Sequence, residues 1–231
     1  MTPENPLPID ITNINEKVYK LIKQRIIYLD YPPGQRIDIR QVQNELSVSQ
    51  TPIKDALFRL AGEGMIEINS RKGTFVREIS ERDVFEIEDA RIILETGAVE
   101  LITDRLSDDQ LVELEKLYQD TLFDDGQFDY RMFMEKDNLF HLKIIELTQN
   151  QRLMEMYDHL NAHMQIVRFQ IARGRSKRLP WTNQDHLNIL SALKARDPNK
   201  AKEVIKEHRL KAREAFLQHR REMKAALPGT G

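Results

Sequence analysis

Hydrophobic positions change their spacing along the chain, and the change divides it. From Ile14, the residues Val18, Leu21, Ile22, Ile26 and Leu29 fall three or four apart, the interval of one buried helix face. "YPPGQ" at 31–35 stops that helix, because proline and glycine cannot continue it. Ile37, Ile39, Val42 and Leu46 predict a second, short helix. "SVS" is a tight break, and Ser49 or Thr51 can cap a third helix that starts near Pro52. Ile53, Ala56, Leu57 and Leu60 give that helix its buried stripe, and Gly62 and Gly64 end it. Met65, Ile66 and Ile68, then Thr74, Phe75 and Val76, predict two short strands around the polar turn "NSRKG". Three helices followed by a hairpin describe a winged helix-turn-helix.

Beyond Ser80 the spacing is helical almost to the end. "SERD" is a capping box with Asp83 in place of the usual Glu. Breaks in the pattern predict helices over about 81–104, 108–123, 128–148, 151–172, 181–195 and 198–222. The fold class expected is therefore mainly α: an N-terminal winged helix-turn-helix and a C-terminal all-α six-helix bundle large enough for its own core. The expected divisions are a flexible arm at 1–10, the winged-helix domain at 11–78, the helical domain at 79–225 and a tail at 226–231.

Composition narrows the function classes. With no cysteine among 231 residues, disulfides and thiolate metal sites are excluded, and a reducing compartment fits. No apolar run approaches the roughly 18 residues a membrane span needs, and "MTPENPLPID" has no apolar signal core, so a cytoplasmic protein without a membrane partner is expected. Net charge is −2. Residues 1–78 hold 11 Lys and Arg against 10 Asp and Glu. Any DNA binding must then rest on the placement of a few cations and not on a basic domain.

A helix-turn-helix lays its second helix in the major groove, with that helix's first residues at the base edges. Those residues are Ser49, Gln50, Thr51 and Lys54, with Arg40 on the preceding helix. Glutamine matches adenine N6 and N7, and lysine suits guanine or a phosphate. Lys72 and Gly73 in the wing can approach the DNA backbone or minor groove, and Gly73, lacking a side chain, can bring its N–H close to a phosphate. In the rear part, "DNLFH" sets Asp137 and His141 four apart, roughly 6 Å between Cβ atoms on one helix face, close enough for both to hold one metal. The same spacing also suits a plain salt bridge. His186 and His208 lie in later amphipathic helices that an antiparallel bundle can bring alongside, while His159, His163 and His219 read as ordinary histidines. No phosphate loop, dinucleotide glycine fingerprint or His-Glu-x-x-His occurs.

The stretch "IDIRQVQNELSVSQTPIKDALFRLAGEGMIEINSRKGTFV" resembles the winged-helix domain of the GntR family of bacterial transcription regulators. Arg40, Val48, Ser49, Thr51, Pro52, Ala56, Leu57, Gly64, Gly73, Thr74, Phe75 and Val76 match its pattern. Gln50 and Lys54 stand where the family usually has arginines, and Ser47 replaces its turn glycine. The departure at Gln50 implies that adenine, not guanine, is read there. Residues 81–220 resemble the all-helical FCD effector domain of the FadR subgroup. In its metal-binding branch the resemblance implies the ligands Asp137, His141, His186 and His208, with Arg91 in "DARIILETGAVEL" facing an effector. Three imidazoles and one carboxylate suit Zn²⁺, Ni²⁺, Mn²⁺ or Fe²⁺ better than Ca²⁺, and metal affinity is expected to fall below about pH 6. Arg91 could fork onto a small organic acid, or equally pair with Glu95 four residues on. The resulting expectation is a homodimeric DNA-binding regulator, repressor by family default, on a pseudo-palindromic double-stranded operator. Two alternatives remain: a metal-dependent hydrolase or lyase with a three-His, one-Asp centre, and the same regulator without metal.

Overall fold

The computed structural model describes residues 11–122, 129–172 and 182–226. The arm at 1–10 and residues 227–231 of the tail lie outside these. Contacts divide the chain into two compact units, residues 1–78 and 79–231.

In the first unit, α1 (Ile11–Ile27) is followed by β1 (Arg36–Ile37), α2 (Ile39–Leu46), α3 (Gln50–Gly62), β2 (Ile66–Asn69) and β3 (Gly73–Val76). Val18, Ile22 and Ile26 of α1 join Val42, Ile53, Leu57, Leu60, Met65 and Val76 in its buried core. The strands form one antiparallel sheet in the order β1-β3-β2. Sequence spacing predicted two strands, and Ile37 was expected in a helix. Instead Ile37 pairs with Thr74, and Arg36 with Phe75, across the wing. Asp38 starts α2, its carboxylate accepting from the N–H groups of Arg40 and Gln41 at 2.8 and 3.3 Å. Ser47 ends α2 in the left-handed region, at φ 52°. Ser49 is the N-cap of α3, but its side chain makes no capping hydrogen bond. The helix begins at Gln50, so Pro52 is its third residue and not its first, still within the turn whose N–H groups lack intrahelical partners.

The second unit contains α4 (Glu81–Ile102), α5 (Asp108–Gln119), α6 (Tyr130–Glu146), α7 (Gln151–Ala172), α8 (Thr182–Lys194) and α9 (Pro198–Ala226). Ser80 and Asp83 form the expected capping box, and Ser107 with Gln110 form a second. Helix α4 packs on α6, α7 and α9. An apolar core gathers Ala98, Val99 and Ile102 of α4, Leu114 of α5, Phe140, Ile144 and Ile145 of α6, Ile189, Leu190 and Leu193 of α8, and Ala201 and Ile205 of α9. On several of these helices the inward stripe changes character within one or two turns of that core. Helix α4 buries Glu88, Arg91 and Glu95 before Ala98; α6 buries Asp137 and His141 before Ile144; α8 buries His186 before Ile189; α9 buries His208 and Arg209 beyond Ile205. A polar centre is thus enclosed beside the apolar one. Among the described residues, no helix is long and apolar enough to cross a membrane.

Candidate functional site

Asp137, His141, His186 and His208 converge. Each offers one ligand atom, and these atoms all lie within 4.8 Å of one another. All four residues are buried, the most exposed at 3%. His141 Nε2 and His208 Nε2 are 3.1 Å apart, and His186 Nε2 is 3.2 Å from Asp137 Oδ1. Two adjacent donor atoms bound at about 2.0–2.1 Å to one tetrahedral or octahedral ion stand roughly 2.8–3.4 Å apart, so these separations suit ligation.

The surroundings orient the donors. His141 Nδ1 lies 2.9 Å from Glu95 Oε2, and His208 Nδ1 lies 3.5 Å from Asp185 Oδ2. Neither contact has hydrogen-bond geometry at Nδ1, and both rings turn their Nε2 atoms toward each other. Lone pairs facing each other at 3.1 Å repel unless a proton or a cation stands between them. Carboxylates behind ligating histidines fix the tautomer and raise ligand basicity. Arg168 of α7 donates to Asp137 Oδ2 at 2.7 Å, leaving Oδ1 for the ion. Neither ring nitrogen of His186 has a hydrogen-bond partner of good geometry. The residues present therefore fit a divalent transition metal.

Protonation states agree. Burial pushes the His141 imidazole down to about 4 against the pull of Glu95, and the His208 imidazole down to about 3 against Asp185. Both are neutral near pH 7, as ligands must be. Burial would raise the Asp137 carboxyl, but Arg168, His186 and His141 hold it well below its ordinary value. Glu95 is likewise held well below its ordinary value, since His141, Arg209 and Arg91 outweigh its burial.

Arg91 is fully buried, 3.1 Å from Glu95 Oε1, and donates to the Tyr157 hydroxyl at 2.6 Å. The pairing with Glu95 that the sequence offered as an alternative is thus present. Its Nε and Nη1 remain without hydrogen bonds. Arg168, and Arg209 with its fork onto Glu88 (Nη2 to Oε1 at 2.7 Å, Nε to Oε2 at 3.1 Å), were missed in the sequence. A guanidinium inside the apolar run "MQIVRFQI", and the series Glu88–Arg91–Glu95 on one face of α4, were the available signals.

In the first unit, Arg40, Ser49, Gln50, Thr51, Lys54 and Lys72 are all exposed, and Gly73 is half-buried. Gln50 opens α3. An open polar cleft lined by Arg36, Asp38, Arg40, Gln50, Gly73 and Thr74 brings the first residue of α3 beside the wing. Arg36 is a further exposed cation there that sequence reasoning passed over. Gly73 sits at φ +115°, and a Cβ on it would lie 2.9 Å from Arg36 Nε, so glycine allows both the turn and the close approach. At the wing tip, Asn69 Oδ1 accepts from the N–H groups of Arg71 and Lys72 at 3.0 and 3.1 Å.

Residues 14–76 match the bacterial regulatory proteins of the gntR family, and residues 86–211 match the FCD domain. The chain belongs to the GntR family, with an FCD domain. Among its relatives, the Nta operon transcriptional regulator of Aminobacter aminovorans is 28% identical over 77% of this chain and 82% of its own length. The transcriptional repressor RspR of Escherichia coli K12 is 26% identical over 90% and 91%. The solved structure of E. coli McbR/YncC shares the fold, with a TM-score of 0.79, 23% identity, and coverage of 89% of this chain and 97% of that one. This GntR-family chain is a transcriptional regulator with a DNA-binding domain. The matched families and relatives are regulators and not enzymes, so the hydrolase or lyase reading falls.

Proposed function

We propose that this regulator holds a divalent transition metal through Asp137, His141, His186 and His208, that a small organic acid binds beside it, and that the acid changes operator affinity. The convergence of four buried donor atoms within 4.8 Å carries the reading. The metal would supply a Lewis-acidic positive charge to which a carboxylate can bind. Arg168 would fix Asp137, Glu95 would fix His141, and Arg91 would face the acid with its unbonded donors. Zn, Ni, Mn and Fe all suit this donor set.

Gln50, Thr51 and Lys54, with Arg40, Ser49, Lys72 and Gly73, would meet double-stranded DNA, acting from the cytoplasm. One reader covers only a half-site, so two copies on a pseudo-palindrome are required. An apolar face on α4 and α7, built from Ala90, Ile93, Leu94, Met156 and Leu160, supports a homodimer, since Ile93 is 70% and Met156 58% exposed. An apolar patch of this kind is commonly an interaction surface. The name of the relative RspR favours repression.

Fluorescence anisotropy on a selected operator, with metal-loaded and metal-stripped chain and a panel of small carboxylates, tests the proposal. A change in operator affinity of about 5- to 150-fold with one acid, seen only in the loaded chain, is the expected result. Operator affinity indifferent to both metal and acids contradicts it.

A further inference from the structure

The buried polar centre is balanced in a way that points to its ligand. Three cations lie in it, Arg91, Arg168 and Arg209, each at most 3% exposed. Three anions accompany them: Glu88, Glu95 and Asp137. The set is one connected network. Arg168 reaches Asp137 at 2.7 Å, Arg209 reaches Glu88 at 2.7 Å and Glu95 at 3.8 Å, and Arg91 reaches Glu95 at 3.1 Å and Glu88 at 3.7 Å. Asp185 stands outside this balance, because the partly exposed Lys211 pairs with it at 3.0 Å. Tyr157 is neutral, its hydroxyl raised by burial. The guanidiniums and carboxylates alone therefore sum to zero.

A divalent ion held by three imidazoles and Asp137 adds two positive charges among buried side chains. Uncompensated buried charge is costly, so something must answer it. The protein offers unused donors in the same place: Arg91 Nε and Nη1, Arg168 Nε and Arg209 Nη1 have no hydrogen-bond partner. Three guanidiniums with idle N–H groups call for an acceptor of more than one oxygen. We infer that the effector is a small organic dianion, with one acidic group at the metal and the other among Arg91, Arg168 and Arg209. This rests on the metal-and-acid reading above. A dicarboxylate and a phosphate monoester share the required charge.

Calorimetric titration of the full metal-loaded chain at pH 7.5 separates the possibilities. The probes are malonate, succinate and glutarate, the monoamide of each, and ethyl phosphate. For at least one skeleton, the dianion is expected to bind about 10- to 100-fold tighter than its monoamide, and the gap is expected to collapse after chelator treatment. A diacid stronger than ethyl phosphate assigns a dicarboxylate, and the reverse order assigns a phosphate ester. Monoamides binding as tightly as diacids overturn the dianion while leaving the carboxylate effector intact. A dianion preference undiminished in stripped protein also overturns it, because the metal's charge would then not be what the ligand answers. Failure of every acid and of ethyl phosphate to bind overturns the effector reading and this inference together.

Discussion

His141 and His208 are imidazoles that burial keeps neutral, with pKa values lowered to about 4 and about 3. In the unfolded chain both titrate near 6.5. The folded form therefore binds fewer protons between these values, and its stability, full above pH 6.5, declines as pH falls. The loss is about 1.4 kcal/mol per pH unit for each histidine until its folded value is reached. Thermal melts of metal-free protein should drop in midpoint from pH 7 to pH 5. Melts flat across this range would contradict the buried neutral state. At the other end of the chain, Gln50 is exposed and opens α3, the helix proposed to read DNA. Operator selection is predicted to return adenine at the base it meets, with Gln50→Ala weakening that preference by about 1–3 kcal/mol. Guanine at that position, with no loss in the variant, would sink the assignment. Asp137 and the three histidines were legible because Asp and His four apart on a helix are conspicuous. Arg168 and Arg209 were not, since an arginine on an amphipathic helix reads as solvated until packing encloses it.

Among the elements, helix ends were the most legible feature, because their causes are local. Ser80 with Asp83, and Ser107 with Gln110, write their boundaries into four residues each. Strand β1 was not legible, since Arg36 and Ile37 become extended only by pairing with β3, nearly forty residues away. The start of α3 was misplaced for a related reason: Pro52 tolerates the third helical position as well as the first, and the sequence does not choose. Ser47 closes α2 at φ 52°, where an L-residue with a Cβ is disfavoured and glycine is not. Ser47→Gly is expected to stabilise the first unit by about 0.5–1 kcal/mol, measured as a raised denaturant midpoint at unchanged slope. A lowered midpoint would mean that the serine contributes something the backbone geometry does not explain.

For the whole molecule, the proposed homodimer would use the apolar face of α4 and α7. Ile93→Glu places a charge at its most exposed apolar position. Sedimentation should then show a monomer at micromolar concentration, with operator affinity falling alongside; an unchanged dimer would move the interface elsewhere. Residues from three helices are proposed to hold one cation, and the decisive check is elemental analysis of the chain, prepared without chelator and then offered Zn, Ni, Mn and Fe. About one divalent ion per chain is expected, and close to none when His141→Ala and His208→Ala are measured alongside. Well-folded wild-type protein that takes up no ion, or variants that bind as much as the wild type, would contradict it.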